Sequence, residues 1–180
     1  MIKRQFILLI PVLLLSSCSS YKWTEKTTER LFGKSIYLKK TYAKYSSDGI
    51  FDINLNGDGY YIDVFSLPEK YVNYIINNLE KIKSEYPKFE YIKGRESIYW
   101  KETPMEENEK IIHEKIIGNE NCFFNESPSF QKAIKYYKES IIMEGNYYSY
   151  LFQIDKYSYD IDFYVFNPKD RILIVIYNHT

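Results

Sequence analysis

The residues best placed to do chemistry lie in one short segment, DINLNGDGYYID, at positions 52–63. Asp52, Asn54 and Asn56 alternate along it, Gly57 follows, and Asp63 closes it. Side-chain oxygens at the first, third, fifth and twelfth positions, with glycine at the sixth, are the spacing of a calcium-binding loop. The segment is therefore a candidate metal site.

A β-hairpin is the alternative interpretation of this segment. The twelfth position carries Asp63 instead of the longer glutamate that binds calcium through both oxygens, and Gly49 stands where an EF-hand has its first helix. Apolar residues alternate with the polar ones, as a half-buried strand requires. With residues 56–59 as the loop, the predicted cross-strand pairs are Leu55–Tyr60, Ile53–Ile62 and Phe51–Val64. We expect the hairpin, and calcium is the second possibility.

Other candidate groups lack partners in the sequence. His113 lies in a charged helical segment and His179 beside the C-terminus, and neither has a second ligand at metal-binding spacing. Glu106, Glu107 and Glu109 are typical of the solvated start of a helix. No nucleophile elbow, zinc-protease, P-loop or dinucleotide-binding motif occurs. We predict no cofactor and no catalytic motif, although folding could still bring two carboxylates together.

The N-terminal segment has the layout of a secretory signal peptide. Lys3 and Arg4 precede an apolar run over residues 6–15, and small residues follow. The run is shorter than the roughly 20 apolar residues that cross a bilayer. It is apolar on every side, whereas a helix buried in a globular domain has one apolar stripe.

The end of this segment, Leu15-Ser16-Ser17-Cys18, resembles the lipobox of bacterial lipoproteins. The resemblance implies that Cys18 receives a diacylglyceryl group, that residues 1–17 are removed, and that the new N-terminus is acylated by a fatty acid such as palmitate. Stable anchoring takes at least two acyl chains, which this modification supplies. Ser19 resembles the residue found after the cysteine in lipoproteins sorted to the outer membrane, in a cell that has two membranes. We expect a protein anchored to the cell membrane through Cys18.

Charge argues against a nucleic-acid partner. The precursor has 24 basic and 24 acidic residues. Cleavage removes Lys3 and Arg4 and no acid, so 22 basic residues face 24 acidic ones and the net charge becomes −2. A near-neutral chain without a basic block lacks the excess cations that binding to phosphates requires.

Cys122 is the only other cysteine, so a lipidated chain has no internal disulfide. Beside Phe123 and Phe124 we interpret it as a small buried apolar side chain. A reactive or intermolecular thiol is the alternative, but no neighbour in the sequence would activate it.

Helical periodicity predicts three helices. The first follows a capping box, Ser66-Leu67-Pro68-Glu69, and ends before Pro87. The second follows Thr103-Pro104-Met105-Glu106 and ends near Gly118, with a strand as the alternative. The third opens at Ser127-Pro128 and continues to Ile141.

Strand patterns occupy most of the remaining chain. They comprise KSIYLKKTYAKY, the 51–64 hairpin, a second hairpin turning near Gly94, and a C-terminal meander with NPKD at its last turn. The final strand, RILIVIY, is apolar on both faces and should be central or covered by a helix.

Together these patterns predict an α+β domain over residues 31–180. It should contain an antiparallel sheet of about seven short strands with about three amphipathic helices on one face. Residues 18–30 are polar and aperiodic, which favours a flexible tether between the lipid and the domain.

These features favour a non-catalytic lipoprotein that binds a protein or another component of the cell envelope. One version is an immunity-type protein that intercepts a toxin. The alternative is a hydrolase-like envelope enzyme whose site is assembled from scattered acids and some of the 20 tyrosines.

Overall fold

The computed structural model describes residues 24–46, 59–89, 95–117, 128–154 and 159–179. In these residues, five α-helices and a seven-stranded antiparallel sheet form a mixed α+β arrangement, which confirms the predicted fold class.

The elements are numbered in chain order. The helices are α1 (24–32), α2 (Glu69–Asn77), α3 (Leu79–Glu85), α4 (Lys110–Ile117) and α5 (Pro128–Ile142), with a 3-10 turn at Glu107–Glu109. The strands are β1 (Lys39–Ser46), β2 (Gly59–Ser66), β3 (Glu96–Ser97), β4 (Lys101–Glu102), β5 (Tyr147–Ile154), β6 (Tyr159–Asn167) and β7 (Ile172–His179).

The sheet has the strand order β1-β2-β7-β6-β5-β3, and β4 also pairs with β5. The predicted meander β5-β6-β7 is confirmed, and Asn167 and Asp170 hydrogen-bond across its last turn. β7 lies between β2 and β6 and contributes side chains to the core on both faces, as its apolar sequence predicted.

The predicted pairs Ile53–Ile62 and Phe51–Val64 are wrong, and the predicted pair Leu55–Tyr60 is not tested. Ile62 lies opposite Tyr45 of β1 and Ile176 of β7, so both hydrogen-bonding edges of β2 are already occupied. Alternating apolar residues report which face of a strand is buried, and they do not identify the neighbouring strand. Residues 47–58 lie outside the described part of the chain.

The second predicted hairpin is not tested, because residues 90–93 and the turn near Gly94 lie outside the described residues. The strands that follow it, β3 and β4, both pair with β5.

Helices cover both faces of the sheet, whereas one covered face was expected. Helices α4 and α5 pack on the face that carries Phe163 and Ile174. Helices α1, α2 and α3 pack on the opposite face, which carries Phe166 and Leu173. The reason is that β6 and β7 are apolar on both sides, and each side must be shielded from water.

Neither predicted capping box caps a helix. Ser66 ends β2, and α2 has Pro68 at its N-cap position without a side-chain cap bond. Thr103 is buried, and its hydroxyl donates to the backbone carbonyls of Met143 and Asn146, so it secures the chain before β5 instead. The second helix therefore begins later than expected, after the 3-10 turn.

The first predicted helix is interrupted at Asn78, whose side-chain amide donates to the carbonyl of Tyr74 at 2.8 Å. Such a bond competes with the regular helix ladder. Beyond it, α3 ends at Glu85, before Pro87 as predicted.

The prediction of a flexible tether over residues 18–30 is wrong from residue 24 onward, because residues 24–32 form α1. Leu31 and Phe32 are fully buried. The carbonyl of Leu31 accepts a hydrogen bond from the Trp100 indole at 2.8 Å, and that of Arg30 accepts one from the Lys88 amide at 2.9 Å. These bonds satisfy carbonyls that the last turn of a helix leaves open.

Candidate binding site

A cavity of about 220 Å³ lies between α1 and strands β6 and β7. One face of α1, the floor formed by the sheet, and the loop after α3 each contribute to it. The polar and aromatic residues that define it are Lys26, Thr27, Arg30, Phe89, Asp162, Tyr164 and Tyr177.

The wall formed by α1 is positively charged. Lys26 and Arg30 are one helical turn apart, so both side chains lie on the same face. Both residues are exposed. Within the described segments, neither forms an ion pair with a carboxylate. Two cations therefore face the cavity, and no acid from the described segments is bound to them.

A second cavity, of about 420 Å³, adjoins the first and shares Lys26 and Arg30 with it. Its other charged lining residues are Glu29 and Lys88. The ammonium of Lys88 lies 4.7 Å from the centre of the Tyr86 ring and 3.9 Å from a carboxylate oxygen of Glu85. The two cavities thus meet where the positive charge is concentrated.

The floor of the first cavity combines aromatic rings with one carboxylate. Tyr164 and Tyr177 meet edge to face with ring centres 6.4 Å apart, and Phe89 stacks on Tyr164 at 5.9 Å. Asp162 lies directly opposite Tyr177 in the sheet. The floor therefore offers ring faces for stacking and one acidic acceptor.

The two floor tyrosines are held in the protonated form. Burial raises the pKa of Tyr164 well above its usual value of 10.0. Burial, followed by the charge of Asp162, also raises the pKa of Tyr177, and the positive charge of Arg30 opposes the rise in both. Both hydroxyls are therefore neutral hydrogen-bonding groups near pH 7.

A second polar cluster lies on the other face of the sheet. The carboxylate of Glu109, which is 5% exposed, accepts hydrogen bonds from Tyr148, from Tyr150 at 2.7 Å and from Lys101 at 3.2 Å. Burial favours the neutral acid, but the two hydroxyls and the ammonium outweigh it, so the pKa of Glu109 is lowered. An ionised carboxylate that accepts three hydrogen bonds is a weak base. The hydrogen bonds from Tyr148 and Tyr150 also tie the 3-10 turn to β5.

Glu109 corrects an expectation from the sequence. The acidic run was predicted to be solvated, and Glu106 and Glu107 are exposed, but Glu109 is buried. The partners that stabilise it come from β5, 39 and 41 positions along the chain.

The histidines form no metal site in the described residues. The Nδ1 atom of His113 is hydrogen-bonded to the hydroxyl of the buried Tyr137 at 2.9 Å, which links α4 to α5. His179 ends β7. The described chain holds no group of three or more His, Cys, Asp or Glu side chains suited to a metal ion.

Only the second part of the candidate calcium-binding segment, from residue 59 onward, lies within the described residues. Asp52, Asn54 and Asn56 lie outside them, as do Cys18, Ser19 and Cys122. Asp63 lies within β2, with β1 and β7 on either side, whereas the twelfth position of an EF-hand loop leads into a helix.

The cavity between α1 and the sheet was missed by the sequence analysis. The available signal was Leu31-Phe32-Gly33, an apolar pair followed by the glycine that commonly ends a helix. Nothing in the local sequence connects Arg30 with Asp162, because strand order and the docking of α1 on the sheet bring them together.

No family model, no curated protein and no solved structure matches this chain. None of the helices in the described residues has the length and apolar character needed to traverse a bilayer.

Proposed function

We propose that this protein is a membrane-anchored lipoprotein of the cell envelope whose folded domain binds a ligand in the cavity between α1 and the sheet. The observation that carries the binding role is the cavity itself, with two cations on its wall above protonated tyrosines and a carboxylate. The lipobox-like Leu15–Cys18 supports the anchor.

The position of α1 along the chain supports a site close to the membrane. Five residues separate Cys18 from Thr24, the first described residue of α1. Even fully extended, such a segment spans only about 20 Å. The acyl chains would therefore hold the start of α1, which leads into the cavity wall, within that distance of the bilayer surface.

The chemistry of the cavity favours binding over catalysis. Tyrosines with raised pKa values donate hydrogen bonds but do not act as bases near pH 7. Asp162 is the only carboxylate among the described residues that line the first cavity, whereas glycoside hydrolysis uses a pair.

The hydrolase-like alternative has one specific candidate. Asp63 and Asp162 lie on the same face of the sheet, because Asp63 is opposite Val175 and Asp162 is opposite Tyr177, two positions further along β7. If the protein is an enzyme, Asp162→Asn should abolish turnover of its substrate and leave binding in place.

Native mass spectrometry of the full-length acylated protein in detergent tests the binding role. After exposure to an envelope extract, the wild type should retain a discrete small-molecule adduct. Thr27→Trp, which fills the cavity without changing charge, should lose it, and Lys132→Trp, on the exposed side of α5, should keep it. Melting temperature checks the fold of both variants, and Thr27→Leu provides a smaller obstruction.

An adduct that Thr27→Trp retains at the wild-type level, in a folded protein, would place the binding site elsewhere. A wild type that retains no adduct would contradict the proposal directly.

A further inference from the structure

We infer that the cavity recognises its ligand through an oxyanion, a phosphate or carboxylate group, held by Lys26 and Arg30. This inference rests on the proposed binding function and names the chemical class of the ligand. The rest of the ligand would carry a hydroxyl or amine that donates to Asp162.

The wall that α1 contributes carries positive charge that no described carboxylate pairs with. Like charges one turn apart on a helix oppose its formation, and Lys26 and Arg30 form no ion pair with a described carboxylate. Lys88, which is paired with Glu85 at 3.9 Å, also lines the adjoining cavity, where Glu29 is the one acid among the described lining residues. An anion between these side chains would relieve the repulsion.

The hydrogen-bond donors that line the cavity have the geometry that an oxyanion requires. A guanidinium offers a planar fork that matches two oxygens of a carboxylate or phosphate, and an ammonium adds a point charge. Thr27, Tyr164 and Tyr177 line the same space, and the two protonated tyrosine hydroxyls are hydrogen-bonded to each other. Charged donors from α1 thus face neutral polar groups, which suits an oxyanion held between them.

Asp162 is the one carboxylate among the described residues that line the first cavity. Asp162 repels a bare anion and attracts a group that donates a hydrogen bond. The stacked rings of Phe89 and Tyr164 supply an apolar surface beside it. The site therefore fits a small polar molecule with its oxyanion toward α1 and its hydroxyl or amine toward β6.

The test uses the full-length acylated protein in neutral detergent, with inorganic phosphate as the probe and chloride at matched ionic strength as the reference. Phosphate should raise the melting temperature of the wild type above that in chloride, because a ligand that binds the folded state stabilises it. Arg30→Gln and Lys26→Gln should each weaken phosphate binding at least tenfold, as expected for the loss of a charged hydrogen bond. Asp162→Asn should strengthen it.

The matched control is Lys81→Gln, which removes one exposed lysine from α3, away from both cavities. It should bind phosphate as the wild type does. If Lys81→Gln weakens the effect as much as Lys26→Gln does, phosphate acts by general screening and the inference is wrong.

A lipid arm distinguishes two sources of the oxyanion. The protein is reconstituted in phosphatidylcholine vesicles with and without phosphatidylglycerol. An increase in melting temperature that depends on phosphatidylglycerol and is lost in Arg30→Gln identifies a lipid headgroup, whereas a response to free phosphate alone identifies a soluble ligand. No response dependent on Arg30 in either arm overturns the inference.

Failure of the inference and failure of the proposed function give different results. If the native adduct is lost in Thr27→Trp but kept in both charge variants, the cavity binds its ligand without an oxyanion contact. If all variants keep the adduct, the cavity is not the binding site.

Discussion

At the scale of single residues, Glu109 shows what local sequence conceals. Its neighbours Glu106 and Glu107 are exposed, yet its own carboxylate is buried and accepts three hydrogen bonds. Two of its donors, Tyr148 and Tyr150, alternate along β5 and so face the same side of the sheet. The position of the 3-10 turn against β5 decides which glutamate is buried. No local sequence pattern encodes that position.

Glu109→Gln should destabilise the fold by about 2 kcal/mol, because the amide cannot accept from both tyrosines and Lys101 as a carboxylate does. Urea unfolding of both proteins measures the difference. Glu114→Gln, at an exposed position of α4, is the control and should change stability by no more than about 0.5 kcal/mol. Equal effects of the two substitutions would mean that the cluster contributes nothing specific.

The same cluster should make stability depend on pH. The pKa of Glu109 is lower in the folded protein than its ordinary value of 4.5, so the folded state binds the proton less tightly. The contribution of Glu109 is therefore complete above pH 4.5 and is lost as pH falls through the lowered value. The stability difference between wild type and Glu109→Gln should shrink over that acidic range in urea titrations, and a constant difference would refute this account.

At the scale of elements, the sequence predicted the helices and strands that have a periodic apolar pattern. It missed the helix whose position depends on contacts with other parts of the chain. The spacing of Phe130, Ala133 and Tyr137 predicted α5, and the unbroken apolar run predicted the position of β7. The first helix was missed because three of its buried residues, Thr24, Thr27 and Thr28, are polar. The hydroxyl of Thr28 accepts from the Ile36 amide at 2.9 Å, a bond between distant positions that no periodic pattern reveals.

Gly33 makes the docking of α1 testable. It ends the helix with a φ of 71°, and the Tyr86 hydroxyl lies where an added Cβ would be. Gly33→Ala should therefore lower the free energy of unfolding by more than the roughly 1–2 kcal/mol that a left-handed alanine alone costs. Hydrogen exchange should accelerate throughout α1.

Gly145→Ala is a matched control, because Gly145 has a φ of 81° with nothing within 4 Å of an added Cβ. Gly145→Ala should lose only the stability that a left-handed alanine costs, and it should leave hydrogen exchange in α1 unchanged. If both alanine variants lose the same stability, Tyr86 does not constrain this helix.

At the scale of the whole molecule, the candidate site arises where distant parts of the chain meet. One cavity is lined by side chains from residues 26–30, Phe89 and residues 162–177. Only the strand order together with the docking of α1 brings these segments together. The sequence could supply the fold class and the composition of each element. It could not supply the cavity, because no local rule relates these segments.

The anchor is a prediction about the whole molecule. Cys18→Ala removes the thiol that the proposed lipid requires, so the leader should stay uncut and the diacylglyceryl mass should be absent. Mass spectrometry of the N-terminal peptide and membrane fractionation measure both effects, with Cys122→Ala as the matched cysteine control. A Cys18→Ala protein that is processed normally and sediments with membranes would refute the anchor.

The burial of Leu31 and Phe32 has a practical consequence for anyone who shortens this chain. Phe32 stacks on Trp100 at 5.0 Å and meets Phe166 at 5.7 Å. A soluble version begun at residue 31, where the polar stretch ends, would lack the turns that hold this pair in place and would expose both side chains to water. It would aggregate or lack the cavity between α1 and the sheet, so the first codon kept should be that of Thr24 or an earlier residue.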